Sequence, residues 1–298
     1  MWFYKSKYVN IFKCNYEVLY KNNESICFVN NRVIKFFIDK NKVYDRYERG
    51  KILGDLVPKL YDKRDNFFSM ELINGYVLTK SYDSKEILNL LQWSMKNLWK
   101  KKKDNKDFKK SCYDFYITKT LQRVQLFKKK YGSYDNIKYI NGVKIKKIED
   151  ILKKIEPILI NEEQSYLFHG DFILENIIKI KNGYKLIDWR ENFGDSLTDG
   201  DIYYDLAKLR HNLFINHENI LNNLYNIKFD NDNVYIDIKC NYKNIIQIQD
   251  FDDFILKNKL NLEKIKLLTS LIWINMSPLH DKKFGIFLYF FGLYNINM

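Results

Sequence analysis

Leu167-Phe168-His169-Gly170-Asp171-Phe172-Ile173-Leu174-Glu175-Asn176-Ile177-Ile178 is followed closely by Tyr184-Lys185-Leu186-Ile187-Asp188-Trp189, with Asn182-Gly183 between the two runs. Asn-Gly flanked by apolar runs is the strongest short hairpin signal in a sequence, so the two runs are expected to fold back on each other. A two-residue turn on that pair sets Asn176 opposite Trp189, and a three-residue loop sets it opposite Asp188. In either register Asn176 and Asp188 leave the open end together, where cross-strand neighbours lie roughly 5 Å apart. Two such oxygen donors suit a hard cation such as magnesium, which takes one or two side chains and leaves its other positions to water and phosphate. Asp171 lies on the loop entering the hairpin and faces that position without occupying it.

The chain around this segment changes character once. Residues 7 to 38 run in short β-rich stretches, with Ile26 to Val29, the turn Asn30-Asn31 and Val33 to Phe37 reading as a hairpin. A helix is expected from about Lys42 to Leu53, then a strand from Phe67 to Ile73 that ends at Asn74-Gly75. From about Ser84 the apolar spacing turns helical, over Ile87 to Trp99, Asp114 to Lys130 and Ile148 to Ile160. A second β patch, Val234 to Ile238 with Ile245 to Ile248, reads as an inserted hairpin at about 230–250. The fold class is therefore α+β, with a small β-rich lobe at 1–74 and a larger α-rich lobe at 75–298.

With 298 residues, 46% of them hydrophobic, the chain is long enough and apolar enough to bury a real core. The net charge of +13 comes with lysine spread throughout. Its densest run, Lys100 to Lys103 with Lys109 and Lys110, has no arginine and reads as a solvated helical face, not a nucleic-acid patch. Cys14, Cys27, Cys112 and Cys240 lie far apart, without metal-ligand spacing, and read as reduced thiols. Neither a signal peptide nor a membrane span is visible, which points to a cytoplasmic protein without nucleic-acid partners.

The D-x-x-x-x-N spacing of Asp171 and Asn176, with a metal-binding Asp downstream, also serves phosphoryl transfer in protein kinases. His169-Gly170-Asp171 with Asn176, then Ile187-Asp188-Trp189, resembles the Brenner-type motif of the aminoglycoside phosphotransferase and choline kinase superfamily. Gly200-Asp201-Ile202-Tyr203-Tyr204-Asp205-Leu206-Ala207-Lys208-Leu209 is similar to the segment downstream of that motif in the same superfamily. Met276-Ser277-Pro278-Leu279-His280 adds a likeness to kinase-like proteins encoded with bacterial capsule and surface-polysaccharide genes. The resemblance implies a protein-kinase-like fold and ATP-dependent, magnesium-dependent phosphorylation of a small hydroxylated acceptor: a sugar, polyol or amino alcohol. It implies that Asp171 acts as base, that Asn176 and Asp188 hold magnesium, and that His169 and Asp205 brace the loop.

A kinase fold also needs a cation over the ATP phosphates and a carboxylate to hold it. Lys35 fits the cation, on a strand where Ile34 and Phe36 are expected to bury the opposite face. Glu48, one turn before Ile52 on the side taken as inward, is its expected partner. The Glu71 carbonyl and Ile73 amide match the family's adenine-binding hinge. Trp189 and Arg190 are expected to border the acceptor. One departure stands out: residues 1 to 49 contain no glycine. The phosphate flap would fall to Asn22-Asn23-Glu24-Ser25, and a nucleotide-binding pseudokinase or assembly factor is the alternative function.

Overall fold

The computed structural model describes residues 4–5, 16–21, 23–80, 83–102, 107–161, 165–215, 220–240 and 242–298. Cys14, Asn22 and Lys103 lie outside them. The N-terminal part is a six-stranded sheet of order β1-β2-β3-β4-β6-β5. Its strands are β1 (Tyr4–Lys5), β2 (Tyr16–Lys21), β3 (Glu24–Val29), β4 (Arg32–Phe37), β5 (Leu60–Arg64) and β6 (Phe67–Glu71). Asn30 takes φ 53 in the turn joining β3 to β4, a left-handed conformation that Asn tolerates. Helix α1 (Lys40–Leu53) is capped by Asp39, whose side chain accepts the Asn41 amide at 2.9 Å, and it packs on β4, β5 and β6.

That packing reverses one expectation. On β4 the buried residues are Val33, Lys35 and Phe37, whereas Ile34 and Phe36 are only half-buried. The helix covers the face that carries the lysine, and Phe37 stacks there on Phe68 at 6.1 Å. Lys35 is thus held at 4% exposure on the inner face of the sheet.

After β6 the chain crosses to a second sheet of order β11-β10-β7, built from β7 (Tyr76–Val77), β10 (Ile177–Ile180) and β11 (Gly183–Leu186). Gly75 passes so close to β10 that a side chain there would strike the Lys179 carbonyl. The β10–β11 hairpin forms, but in neither expected register. Ile180 pairs with Gly183, so Lys181-Asn182 is the turn and Gly183, at φ 116, is already in the strand. Continuing the register, Asn176 falls opposite Ile187, and its carbonyl accepts the Ile187 amide at 2.9 Å.

The rest is mainly helical: α2 (Ser84–Asn97), α3 (Phe108–Tyr113), α4 (Lys119–Tyr131), α5 (Ile148–Leu159) and α6 (Ile202–Phe214). A π-helical turn, Asp114–Thr118, joins α3 to α4. Lys100 to Lys102 follow α2 outside any helix, with Lys101 bridged to Tyr166, so of the described lysines in that run Lys109 and Lys110, exposed on α3, stand on the helical face expected of it. Helix α6 is buried through Leu213, and Asp201 caps it by accepting the Tyr203 amide at 2.9 Å.

The expected hairpin at 230–250 is displaced. The two short strands β8 (Tyr139–Ile140) and β9 (Val143–Lys144) join β12 (Tyr225–Asp230) and β13 (Asn233–Ile238) in a four-stranded sheet. Residues 245–248 lie instead in helix α7 (Tyr242–Lys257), whose buried positions Asn244, Gln247, Phe251, Phe254 and Ile255 follow helical spacing. Helix α8 (Leu262–Met276) packs between α6 and α9 (Lys282–Asn297). No helix of the described residues is long and apolar enough to cross a membrane.

Candidate active site

The loop 167–176 is fixed from below by α6. Both oxygens of the fully buried Asp205 accept loop amides, His169 N–H at 2.7 Å and Gly170 N–H at 2.7 Å. Trp99 Nε1 donates to the same carboxylate at 3.0 Å. Gly170 sits at φ 87 with the Arg190 side chain against its Cα, so no other residue fits there without movement. His169 takes the Asp171 amide on Nδ1 at 3.2 Å, which leaves Nε2 to donate to the Ile187 carbonyl at 2.9 Å. Burial pushes His169 down to about 4, so its ring is neutral and ties the loop to the hairpin.

Asp171 is held on both sides. Lys208 Nζ lies 2.7 Å from Oδ1, and Asn176 Nδ2 donates to Oδ2 at 3.0 Å and to the Asp171 carbonyl at 2.9 Å. Burial alone would raise this carboxyl. The Lys208 ammonium outweighs burial and holds it well below the usual carboxylate range. Asn176 Nδ2 is committed to Asp171, so its Oδ1 turns away and has no hydrogen-bond partner among the described residues.

Asp188 follows the hairpin at φ 57, a left-handed backbone that turns its carboxylate back toward the sheet. There Oδ1 is in direct ion-pair contact with Lys35 and lies 3.8 Å from Arg46 Nη1. Its Oδ2 has no partner among the described residues. Asn176 and Asp188 both line a cavity of about 770 Å³, together with Ile26, Phe28, His211 and His280. Two free oxygen donors on a cavity wall fit magnesium, which needs few protein ligands when phosphate supplies the rest. Among the described residues, no group of three or more His, Cys, Asp or Glu is placed to hold a metal without such help. The Ile73 amide, on the chain leading from β6 to β7, also has no partner among the described residues.

Two expected site residues are elsewhere. Glu48 does not meet Lys35; its carboxylate pairs with Lys51 and, at 3.1 Å, with Lys63. Helix α1 buries Val43, Arg49, Gly50 and Leu53 and leaves Ile52 37% exposed, so the side taken as inward faces out. Trp189 does not border an acceptor pocket. It is 2% exposed, donates from Nε1 to the Arg46 carbonyl at 2.8 Å and lies 6.3 Å from Phe68, with Gly50 leaving room for its ring. Trp189→Ala is therefore expected to lower stability by about 3–5 kcal/mol in urea unfolding, as removal of a buried tryptophan does.

The sequence reading missed Lys208, which pairs with Asp171, and Arg46, which pairs with Asp188. It also missed Arg49, which is buried, donates to the Leu197 carbonyl at 2.7 Å and bonds the Phe168 carbonyl. Lys208 lies three residues after Asp205 on α6, so helical spacing places both beneath the loop.

No family model matches the chain. A LicA homologue of Metamycoplasma hominis is 27% identical over 154 residues, which is 51% of this chain and 53% of that protein. The match spans about half the length of that relative. The ethanolamine kinase of Plasmodium vivax superposes with a TM-score of 0.57 at 15% identity, over 95% of this chain and 83% of its own. The chain has the aminoglycoside phosphotransferase and choline kinase fold. APH(2")-IIa, solved with streptomycin and ATP, superposes with a TM-score of 0.53 at 15% identity, over 97% of this chain and 91% of its own. In this kinase-like fold β2 and β3 pair antiparallel, Lys21 with Glu24.

Proposed function

We propose that the chain is a magnesium-dependent phosphotransferase that moves the γ-phosphate of ATP onto a hydroxyl of a small molecule. One observation carries this reading: Asn176, bonded to Asp171, and Asp188, paired with Lys35, line one cavity together. Asp171, kept ionised by Lys208, accepts the hydroxyl's hydrogen and aims its oxygen at the γ-phosphorus. Little proton transfer is needed early in a loose phosphoryl-transfer transition state, so an aspartate of low basicity suffices. Asn176 Oδ1 and Asp188 Oδ2 would hold the magnesium ion. When bound, magnesium draws charge off the β- and γ-phosphate oxygens. Lys35 exchanges its contact with Asp188 for the phosphates, and Arg46 keeps the aspartate in place. His169 and Asp205 position the loop, and the Glu71 carbonyl and Ile73 amide hold adenine at the change from the 1–74 lobe to the 75–298 lobe. The acceptor is a sugar, polyol or amino alcohol of surface-polysaccharide synthesis, as the likeness of the segment from Met276 to His280 implies.

Binding of Mg-ATP to the folded state should raise the melting temperature, by about 2.7 kcal/mol of added stability at a hundred times Kd. Lys35→Ala should sharply reduce that shift in a thermal melt. No shift with the wild-type protein at saturating nucleotide would sink the proposal. The glycine-free first 49 residues favour a second reading, a nucleotide-binding protein without transfer activity. It predicts the same shift and no phosphorylated product.

A pH dependence follows from Asp205. Burial pushes its carboxyl up from 3.8 to about 6, against the pull of the loop amides, Trp99 and Arg49. All its neighbours are donors, so a proton on Asp205 finds no acceptor and breaks a loop contact. Turnover should therefore fall as pH drops through about 6. The sign for stability is the reverse. The folded state takes up this proton before the unfolded state does, so the group's contribution to stability is largest below 3.8 and shrinks as pH rises to about 6. In pH–rate profiles, Asp205→Asn should lose this acid limb.

A further inference from the structure

Cations gather where Arg190 packs against the loop 167–176 at Gly170. The π-helical turn at Asp114–Thr118 interrupts the long helix there, a feature common at functional sites. It buries Phe115 against Phe193, centroids 4.4 Å apart, and Lys119 follows immediately. Lys119 Nζ lies 3.8 Å from the Phe115 ring centre, and the Arg190 guanidinium lies 4.8 Å from the same centre. Arg190 is fixed beside the loop, since its amide donates to the His169 carbonyl at 2.9 Å and its side chain packs on Gly170. Arg123 is one turn beyond Lys119 on the same face of α4.

These charges are close enough to repel. Burial, then Arg190, Arg123 and Lys208, push the Lys119 ammonium well below its usual value, and burial followed by Arg190 lowers Arg123. Glu191 is the carboxylate whose charge acts on Lys119 and Arg190, but among the described residues Lys119, Arg123 and Arg190 form no ion pair, and Arg190 Nε is buried without an acceptor. The acids in reach are engaged, Asp171 with Lys208 at 2.7 Å and Glu191 with Arg46 at 3.3 Å. Three partly desolvated cations beside one carboxylate, itself paired with Arg46, favour an anion and oppose a cationic ligand.

Resting on the phosphotransferase reading, we propose that the acceptor carries a phosphate or carboxylate group, held by Lys119, Arg123 and Arg190 while its hydroxyl meets Asp171. In the transfer step the hydroxyl oxygen bonds the γ-phosphorus and the bond from that phosphorus to the β,γ-bridging oxygen breaks. ADP leaves with that electron pair, and the hydroxyl proton passes to Asp171 and then to water. Choline and ethanolamine, being cations, are poor acceptors.

The test is calorimetry on the full chain, with magnesium and a non-hydrolysable ATP analogue, titrating glucose 6-phosphate, gluconate, glucose, choline and ethanolamine. At least one of the two anions is expected to bind more tightly than glucose, and comparing them separates phosphate from carboxylate recognition. Arg123→Gln should weaken that binding about tenfold, as loss of an unscreened charge contact does. Arg123→Lys should restore most of it, and the analogue's own affinity should stay unchanged. The inference is overturned if a cation binds best, if Arg123→Gln leaves anion binding intact, or if the anions displace the analogue. Anion binding without phosphoryl transfer would refute the kinase reading alone. Transfer to choline in preference to the anions would refute this inference alone.

Discussion

Asp171→Asn is expected to reduce turnover about 10²- to 10⁴-fold, the range for removing a general base, while Mg-nucleotide affinity stays near that of the wild type. Among the described residues the Asp171 carboxylate contacts Lys208 and Asn176, and of these Asn176 is a proposed metal ligand. The asparagine keeps the volume and can still accept one of those two hydrogen bonds. It does leave the largely buried Lys208 ammonium without its anion, so the melting temperature should fall as well. The useful comparison is therefore turnover against nucleotide affinity in protein still folded at the assay temperature. A parallel loss of both would mean that Asp171 acts through structure and not at the reacting hydroxyl.

Asp188→Asn should behave differently, losing Mg-dependent nucleotide binding and turnover together. The substitution removes the negative charge of a proposed ligand to the metal, whose stabilisation of the transferring group would be worth several kcal/mol, or about 10²-fold or more in rate. Lys35 and Arg46 would then face each other's charge without the carboxylate between them. Raising magnesium should recover part of the binding, since the site is weakened and not removed. Titration of nucleotide at several magnesium concentrations separates this from a folding defect, which magnesium would not repair.

Much of this site was legible because its chemistry is local in sequence. Asp171, Asn176 and Asp188 lie within a few residues of one hairpin, and a turn signal was enough to bring their segments together. The register was less legible: Gly183 was read as a turn residue, but its φ of 116 is accommodated inside β11, with Trp93 packed over it. Lys35 could be found from strand alternation, but not which face of β4 the helix would cover. Glu48 failed for a related reason, because α1 buries Arg49 and Gly50, a charged residue and a glycine, where apolar spacing was the only guide to its inner side.

Helix α7 was misread because its inward face opens with Asn244 and Gln247, whose polarity hid the helical period behind a β-branched run. Of the cation cluster only Arg190 had a sequence signal, as a residue expected to border the acceptor. Lys119 and Arg123 come from a distant segment, and a π turn that shifts helical register cannot be read from spacing.

Phosphoryl transfer is measured most directly as label moving from γ-labelled ATP, with magnesium, to a panel of sugars, sugar phosphates, sugar acids, polyols and amino alcohols. A labelled phosphomonoester of at least one of these alcohols is expected with the wild-type protein, reduced at least about a hundredfold by Asp171→Asn. Nucleotide binding without label in any alcohol, or transfer by Asp171→Asn at the wild-type rate, would contradict the proposed function.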